Sequence, residues 1–198
     1  MHMLEPRIEQ HFIDSADLKY QSAQLLGKPV AEAVQALLAC VTGGGKVLAC
    51  GHGGSAALAQ HFAALFVGRF ERERPELGAL ALTANGAILT SLVQGDDSSS
   101  AFARQVRALG QAGDVLLALS PHGDATPVLR AIQAAHERDM TIIALTGQSG
   151  NDIATALRET DVHISVPHTR SARIHEVHCL ILHCLCDGVD YQLLGEQE

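Results

Sequence analysis

The chain has 198 residues, 47% hydrophobic and 18% charged, with a formal net charge of −8. This excludes a disordered polymer and allows one domain with a full core. Trp is absent and aromatics are 4%, so the core is aliphatic, and the acidic balance speaks against a general nucleic-acid binder with a basic face. We read no apolar run of 18 residues, hence no membrane span, and no basic-then-apolar leader after Met1-His2-Met3-Leu4. Cys40, Cys50, Cys179, Cys184 and Cys186 fall mostly within apolar periodic runs and read as structural thiols of a reducing cytoplasm. Cys184-Leu185-Cys186 is not the spacing of a redox or zinc motif.

Helical periodicity runs over 4–26 through Leu4, Ile8, Phe12, Leu18 and Leu25, and Gly27-Lys28-Pro29 is expected to break it. A second helix fits 30–42, so residues 1–42 read as a helical hairpin used in oligomer packing. Residues 43–198 then read as an α/β core, the whole chain forming one domain. Strands are expected at 47–50, 79–82, 114–119, 141–146 and 162–166. Helices are expected at 55–67, 88–93, 102–109, 126–138, 153–157 and 171–194. Continuous apolar strands alternating with helices predict a doubly wound, three-layer α/β/α domain on a five-stranded parallel sheet.

In such a sheet ligands bind beyond the carboxyl ends of the strands. Two of those ends carry suitable loops. The first is Gly51-His52-Gly53-Gly54-Ser55. The second is Ser120-Pro121-His122-Gly123-Asp124-Ala125-Thr126. A helix N-terminus offers unpaired N–H groups and a positive dipole end to an anion, and glycine permits close approach. The first loop alone matches neither dinucleotide nor Walker spacing, and a ligand-free turn is the competing reading. Two such loops at one edge favour a phosphorylated ligand.

Cys50-Gly51-His52-Gly53-Gly54-Ser55 and Ser120-Pro121-His122-Gly123-Asp124 resemble the C-G-N-G-G-S and S-T-S-G-N-S loops of sugar isomerase (SIS) domains. Further stretches resemble the branch holding the phosphoheptose isomerases and the initiator-associating protein DiaA. These are Gln60-His61-Phe62, Arg69 to Pro75, Gln105 to Gly110, Ala172 to His178, and Cys184-Leu185-Cys186-Asp187. The resemblance implies a homotetramer with clefts lined by more than one subunit. It places the sugar phosphate on Gly51, His52, Gly53, Gly54, Ser55, Ser120, His122, Asp124 and Thr126.

The family's isomerisation needs an acid and a base at adjacent carbons, drawn from His and Glu on one helix and Gln and His on the last. Carried over, these positions are His61, Leu65, His175 and His183. Leucine cannot take a proton, so His183 alone keeps a catalytic role. His52, His122, Asp124 and Ala125 replace family loop residues, and Gln94-Gly95 stands in place of an Asn-Asp pair. His61, His175 and His183 form a candidate zinc set, against packed histidines in a former site. Protonated His52 and His122 could together attract an anion.

These departures lead to the expectation of a cytoplasmic, catalytically silent regulator. It would bind the replication initiator DnaA, requiring no cofactor and touching neither nucleic acid nor membrane. The alternatives are a phosphoheptose isomerase acting on sedoheptulose 7-phosphate and a non-catalytic sugar-phosphate sensor.

Overall fold

A computed structural model describes residues 4–93 and 98–196. Helix α1 (Leu4–Thr42) leads into strand β1 (Val47–Gly51) and helix α2 (Gly54–Val67). Strand β2 (Ala79–Ala81), helix α3 (Gly86–Val93), a 3-10 turn at Ser98–Ser100 and helix α4 (Ala101–Leu109) follow. Then come β3 (Val115–Ser120), α5 (Thr126–His136), β4 (Thr141–Gly147), α6 (Asn151–Ala156), β5 (Val162–Val166) and α7 (Ser171–Leu194).

The strands form one parallel sheet in the order β2-β1-β3-β4-β5. From β1 the chain builds outward to β2, and from β3 it builds the other way. The switch point therefore lies between β1 and β3, where this topology opens a crevice at the carboxyl ends. Gly51 pairs in register with Leu119, so the two glycine-rich loops leave the sheet side by side.

Both faces of the sheet are covered, which explains the continuous apolar strands. Val47, Ala49, Leu117, Leu119, Ile143 and Ile164 pack with α1, α2 and α7. Leu48, Cys50, Leu116, Ala118 and Ile142 pack with α4, α5 and α6.

The expected N-terminal hairpin is instead one continuous helix of 39 residues running through Pro29. A mid-helix proline costs ~3 kcal/mol. Burial of both halves of α1 against the rest of the fold offsets it. In the first half, Arg173 donates to the His11 carbonyl at 2.6 Å and the Ser15 hydroxyl to Glu176 at 2.7 Å. In the second half, a Cβ on Gly188 would meet Val34 at 2.7 Å, so glycine in α7 allows the helices to touch. The same helix corrects the reading of membrane spans: α1 contains an 18-residue stretch of mean hydropathy 1.3, long and apolar enough to cross a bilayer by composition. Here it packs along α7 and β5.

The charged stretch 69–76, which reads as a solvated or intersubunit face, also divides. Arg69 and Glu73 are exposed, whereas the Arg74 side chain is fully buried against Asp190.

His178 on α7 is fully buried, with Nε2 3.1 Å from the Thr146 carbonyl oxygen, so Nε2–H donates. Burial pushes its pKa down to about 4 from 6.5. Between those values the unfolded chain binds a proton that the native state refuses, so stability falls with falling pH. The contribution is complete above pH 6.5 and roughly 3 kcal/mol is lost on reaching pH 4. Denaturant melts across this window should show that slope, and His178→Gln should flatten it.

Candidate functional site

The first loop is built by close approach. Gly51 ends β1, where a Cβ would lie 2.6 Å from the Ser55 Cβ and 2.9 Å from the Leu119 carbonyl oxygen. Gly53 takes φ +55, the left-handed region, and turns the chain into α2. A Cβ on Gly54 would meet the His175 ring at 2.7 Å, so that ring lies directly over the helix start. Ser55 is fully buried with its Oγ 3.1 Å from His175 Nε2.

In the second loop, Ser120 is buried and its Oγ accepts the Gly123 N–H at 3.1 Å. The hydroxyl proton remains available to an incoming oxygen. Asp124 and Thr126 are exposed, Thr126 as the first residue of α5. His122 Nε2 lies 2.8 Å from the Ser171 Oγ at the start of α7. His52 turns the other way, its ring 5.0 Å from that of Phe102 on α4. The expected His52–His122 anion clamp is therefore not assembled: the two loops send these rings to opposite faces of the sheet. Burial also lowers the pKa of His52, which opposes the protonated form the clamp needs.

A second group of side chains lies farther along the same helices. His61 is seven residues into α2 from Gly54, about 10 Å along the axis. Its Nε2 stands 2.9 Å from the Nε2 of His183 on α7. The Cys179 Sγ is 3.9 Å from the same His183 nitrogen. The Phe70 ring, 5.4 Å from the His183 ring, covers one side. Burial, with the neighbouring His183, lowers the pKa of His61, which keeps that imidazole neutral at ordinary pH. Burial and the nearby His122 do the same for His175.

The expected zinc set of His61, His175 and His183 does not fit, because His175 points to Ser55 and the phosphate corner. His175 and His183 are eight residues apart, about two turns of helix, so the one sits over the loop and the other beside His61. The donor that joins His61 and His183 is Cys179, which the sequence reading assigned to structural packing. The signal for it was available: Cys179 is four residues before His183 on the same helix face.

Leu65, at the position of the expected carboxylate, is half-buried and packs against the core beneath the sheet. Its carbonyl oxygen accepts from Arg74 at 2.8 Å. The Gln94-Gly95 position lies outside the described residues.

This sheet order, with paired glycine- and hydroxyl-rich loops at its switch point, defines an SIS-domain protein, and the SIS domain family model matches residues 11–147. The chain is 62% identical to the phosphoheptose isomerase of Methylibium petroleiphilum over 198 residues, covering 100% of this chain and 99% of that one. The phosphoheptose isomerase of an Azoarcus species is 54% identical over 192 residues, 97% of this chain and 98% of its own. The solved phosphoheptose isomerase of Neisseria gonorrhoeae superimposes with a TM-score of 0.90 at 46% identity, over 95% of this chain and 99% of that one. That of Francisella tularensis gives 0.91 at 40% identity, over 95% and 98%. The chain belongs to the phosphoheptose isomerase family.

This relationship corrects the expectation of a silent DiaA-like regulator of DnaA. That reading rested on Leu65 and the altered loops. Relatives matching this closely along the whole chain carry the isomerase name, and the fold still brings two imidazoles together one helix turn from Leu65.

Proposed function

We propose that the protein is an aldose–ketose isomerase acting on a seven-carbon sugar phosphate, interconverting sedoheptulose 7-phosphate and heptose 7-phosphate. The observation that carries this reading is the spacing of two unlike sites along α2 and α7. An anion corner lies at Gly51 to Ser55 and Ser120 to Thr126. A histidine pair lies about 10 Å farther along the helix axis. A phosphate anchored at the first places the carbonyl end of an extended sugar at the second.

In the ketose-to-aldose direction one imidazole takes the proton from C1. The electron pair forms the enediol as the C2 oxygen gains a proton. The same imidazolium returns the proton to C2 while the O1 proton departs, leaving the aldehyde. His183 is assigned the carbon proton and His61 the oxygen proton. Their Nε2 atoms, 2.9 Å apart, allow the protons to be exchanged between turnovers. Leu65 has no part in proton transfer, and no bound cofactor is needed for a shift of this kind.

His175 and Ser55 are assigned to the phosphate end, where Gly54 leaves room for the ring. Gly54→Ala is expected to displace His175 and weaken sugar-phosphate binding by about tenfold. Titration by thermal shift with sedoheptulose 7-phosphate would measure it.

Free thiols at all five cysteines suit a reducing cytoplasm. The exposed apolar residues of α1, with Phe12 73% and Leu25 60% accessible, suit packing against further copies in a homotetramer. The acidic charge suits a small-molecule substrate rather than nucleic acid. The decisive assay is turnover of sedoheptulose 7-phosphate by purified protein. Appearance of the aldose supports the reading, and stabilisation by the sugar phosphate without turnover would replace it with a sensor.

A further inference from the structure

The χ2 torsion of a histidine is broad, so the backbone of α7 does not by itself decide where His183 points its Nε2. Packing has to decide it. The Phe70 ring lies 5.4 Å from the His183 ring, centroid to centroid, with the two planes tilted by 35°. The His61 ring meets the same imidazole edge-on, at 5.2 Å and 64°. One neighbour fixes the plane of the ring, and the other takes its nitrogen at 2.9 Å.

Phe70 comes from the connection between Val67 and Ala79, which is neither helix nor strand. Two tethers hold that connection against α7. The inner one is Arg74, buried on Asp190 and donating to the carbonyl oxygens of Leu65 and Phe66. The outer one is Arg72, which donates to the Gly195 carbonyl oxygen at 2.7 Å, where Gly195 in the left-handed region (φ +78) ends α7. A cavity of about 240 Å³ is bordered by Phe70, Arg72, Asp187, Tyr191 and Gly195. The middle of the loop therefore borders open space. The tethers, together with the contact of the Phe70 ring on the core, place it.

We infer that Phe70 is a positioning residue for His183: it fixes the imidazole plane so that Nε2 meets His61, and it shuts water out of the pair, with Arg72 and Arg74 strapping its loop to α7. The phenyl ring has no proton to give, so its effect passes wholly through His183. An imidazole turned away breaks the 2.9 Å contact, and a misplacement of about 1 Å at a reacting group costs up to roughly 10²-fold in rate. Excluding water keeps a relayed proton from leaking to solvent. The consequence for turnover rests on the isomerase reading, whereas the shielding of His183 does not.

Carbethoxylation by diethyl pyrocarbonate, mapped residue by residue by mass spectrometry, tests the shielding without an activity readout. The reagent attacks unprotonated imidazole nitrogens. His183 should react more slowly in the native chain than exposed His122. Phe70→Ala should raise the rate at His183 by roughly tenfold or more, because cover is lost locally. Phe70→Tyr keeps the ring and should keep the native rate. Arg72→Ala cuts the outer tether and should give an intermediate rate. His178 is fully buried and must stay unmodified in every variant, which separates local uncovering from unfolding. Unchanged reactivity of His183 in folded Phe70→Ala would overturn the proposal. If that variant does not fold, Arg72→Ala decides, and an unchanged rate there overturns it equally. In turnover, Phe70→Ala should lower kcat roughly 10–100-fold with KM within about twofold, since the phosphate corner makes separate contacts, and Phe70→Tyr should restore it. A native kcat in Phe70→Ala would also overturn the positioning role. If the native chain turns over no sugar phosphate, the isomerase reading fails, and the reactivity of His183 still decides what Phe70 does.

Discussion

His183→Ala is expected to lower kcat/KM for sedoheptulose 7-phosphate by roughly 10²–10⁴-fold, the usual contribution of a positioned acid–base group. The substitution removes one of two imidazoles 2.9 Å apart and leaves His61 to manage carbon and oxygen protons alone. The loss should fall in kcat. The phosphate corner at Ser55 and Ser120 lies two helix turns away and keeps its own hydrogen bonds. A thermal shift with the sugar phosphate should therefore remain close to that of the native chain. Near-native turnover in His183→Ala would remove this residue from the chemistry.

The second large effect is on stability. Arg74→Ala is expected to cost about 3–5 kcal/mol, read from denaturant unfolding. The Arg74 side chain is fully buried and Asp190 is 3% exposed, so deletion leaves a carboxylate without its cation in the core. The guanidinium does more than neutralise charge. It donates to the carbonyl oxygens of Leu65 and Phe66, each at 2.8 Å, and lies 5.8 Å from the centroid of the Phe66 ring. It thereby ties the C-terminal end of α2 to α7, the two helices that present His61 and His183. Asp190 Oδ2 already has no hydrogen-bond partner, so the site has little with which to compensate. Asp190→Asn keeps the shape and removes the charge, and should also destabilise. A paired substitution to apolar residues of similar volume should recover much of the loss.

Much of the fold could be read from the chain because both faces of the sheet are buried. Runs such as Val115 to Leu119 and Ile142 to Leu145 are apolar throughout, and their spacing with helices dictates parallel strands. The break expected at Gly27-Lys28-Pro29 was misread because local propensity there opposes a helix, while contacts with α7 more than 140 residues away favour one. The phosphate corner was legible from its glycines, since Gly51 and Gly53 mark close approach and positive φ. The membership of the histidine cluster was not. Spacing along α7 permitted His175 to share a site with His183, but the height of each residue over α2 decided its neighbour. His175 meets Gly54 and Ser55, and His183 meets His61.

The sequence by itself determined the layered architecture, the two loops at the carboxyl edge and the family, because these depend on hydrophobic period, glycine position and local motif. Only the tertiary structure decided which side chains act together. It separated His52 from His122, buried Arg74, continued α1 through a proline and set Cys179 beside the two histidines. Each of those outcomes depends on packing between residues far apart in the chain.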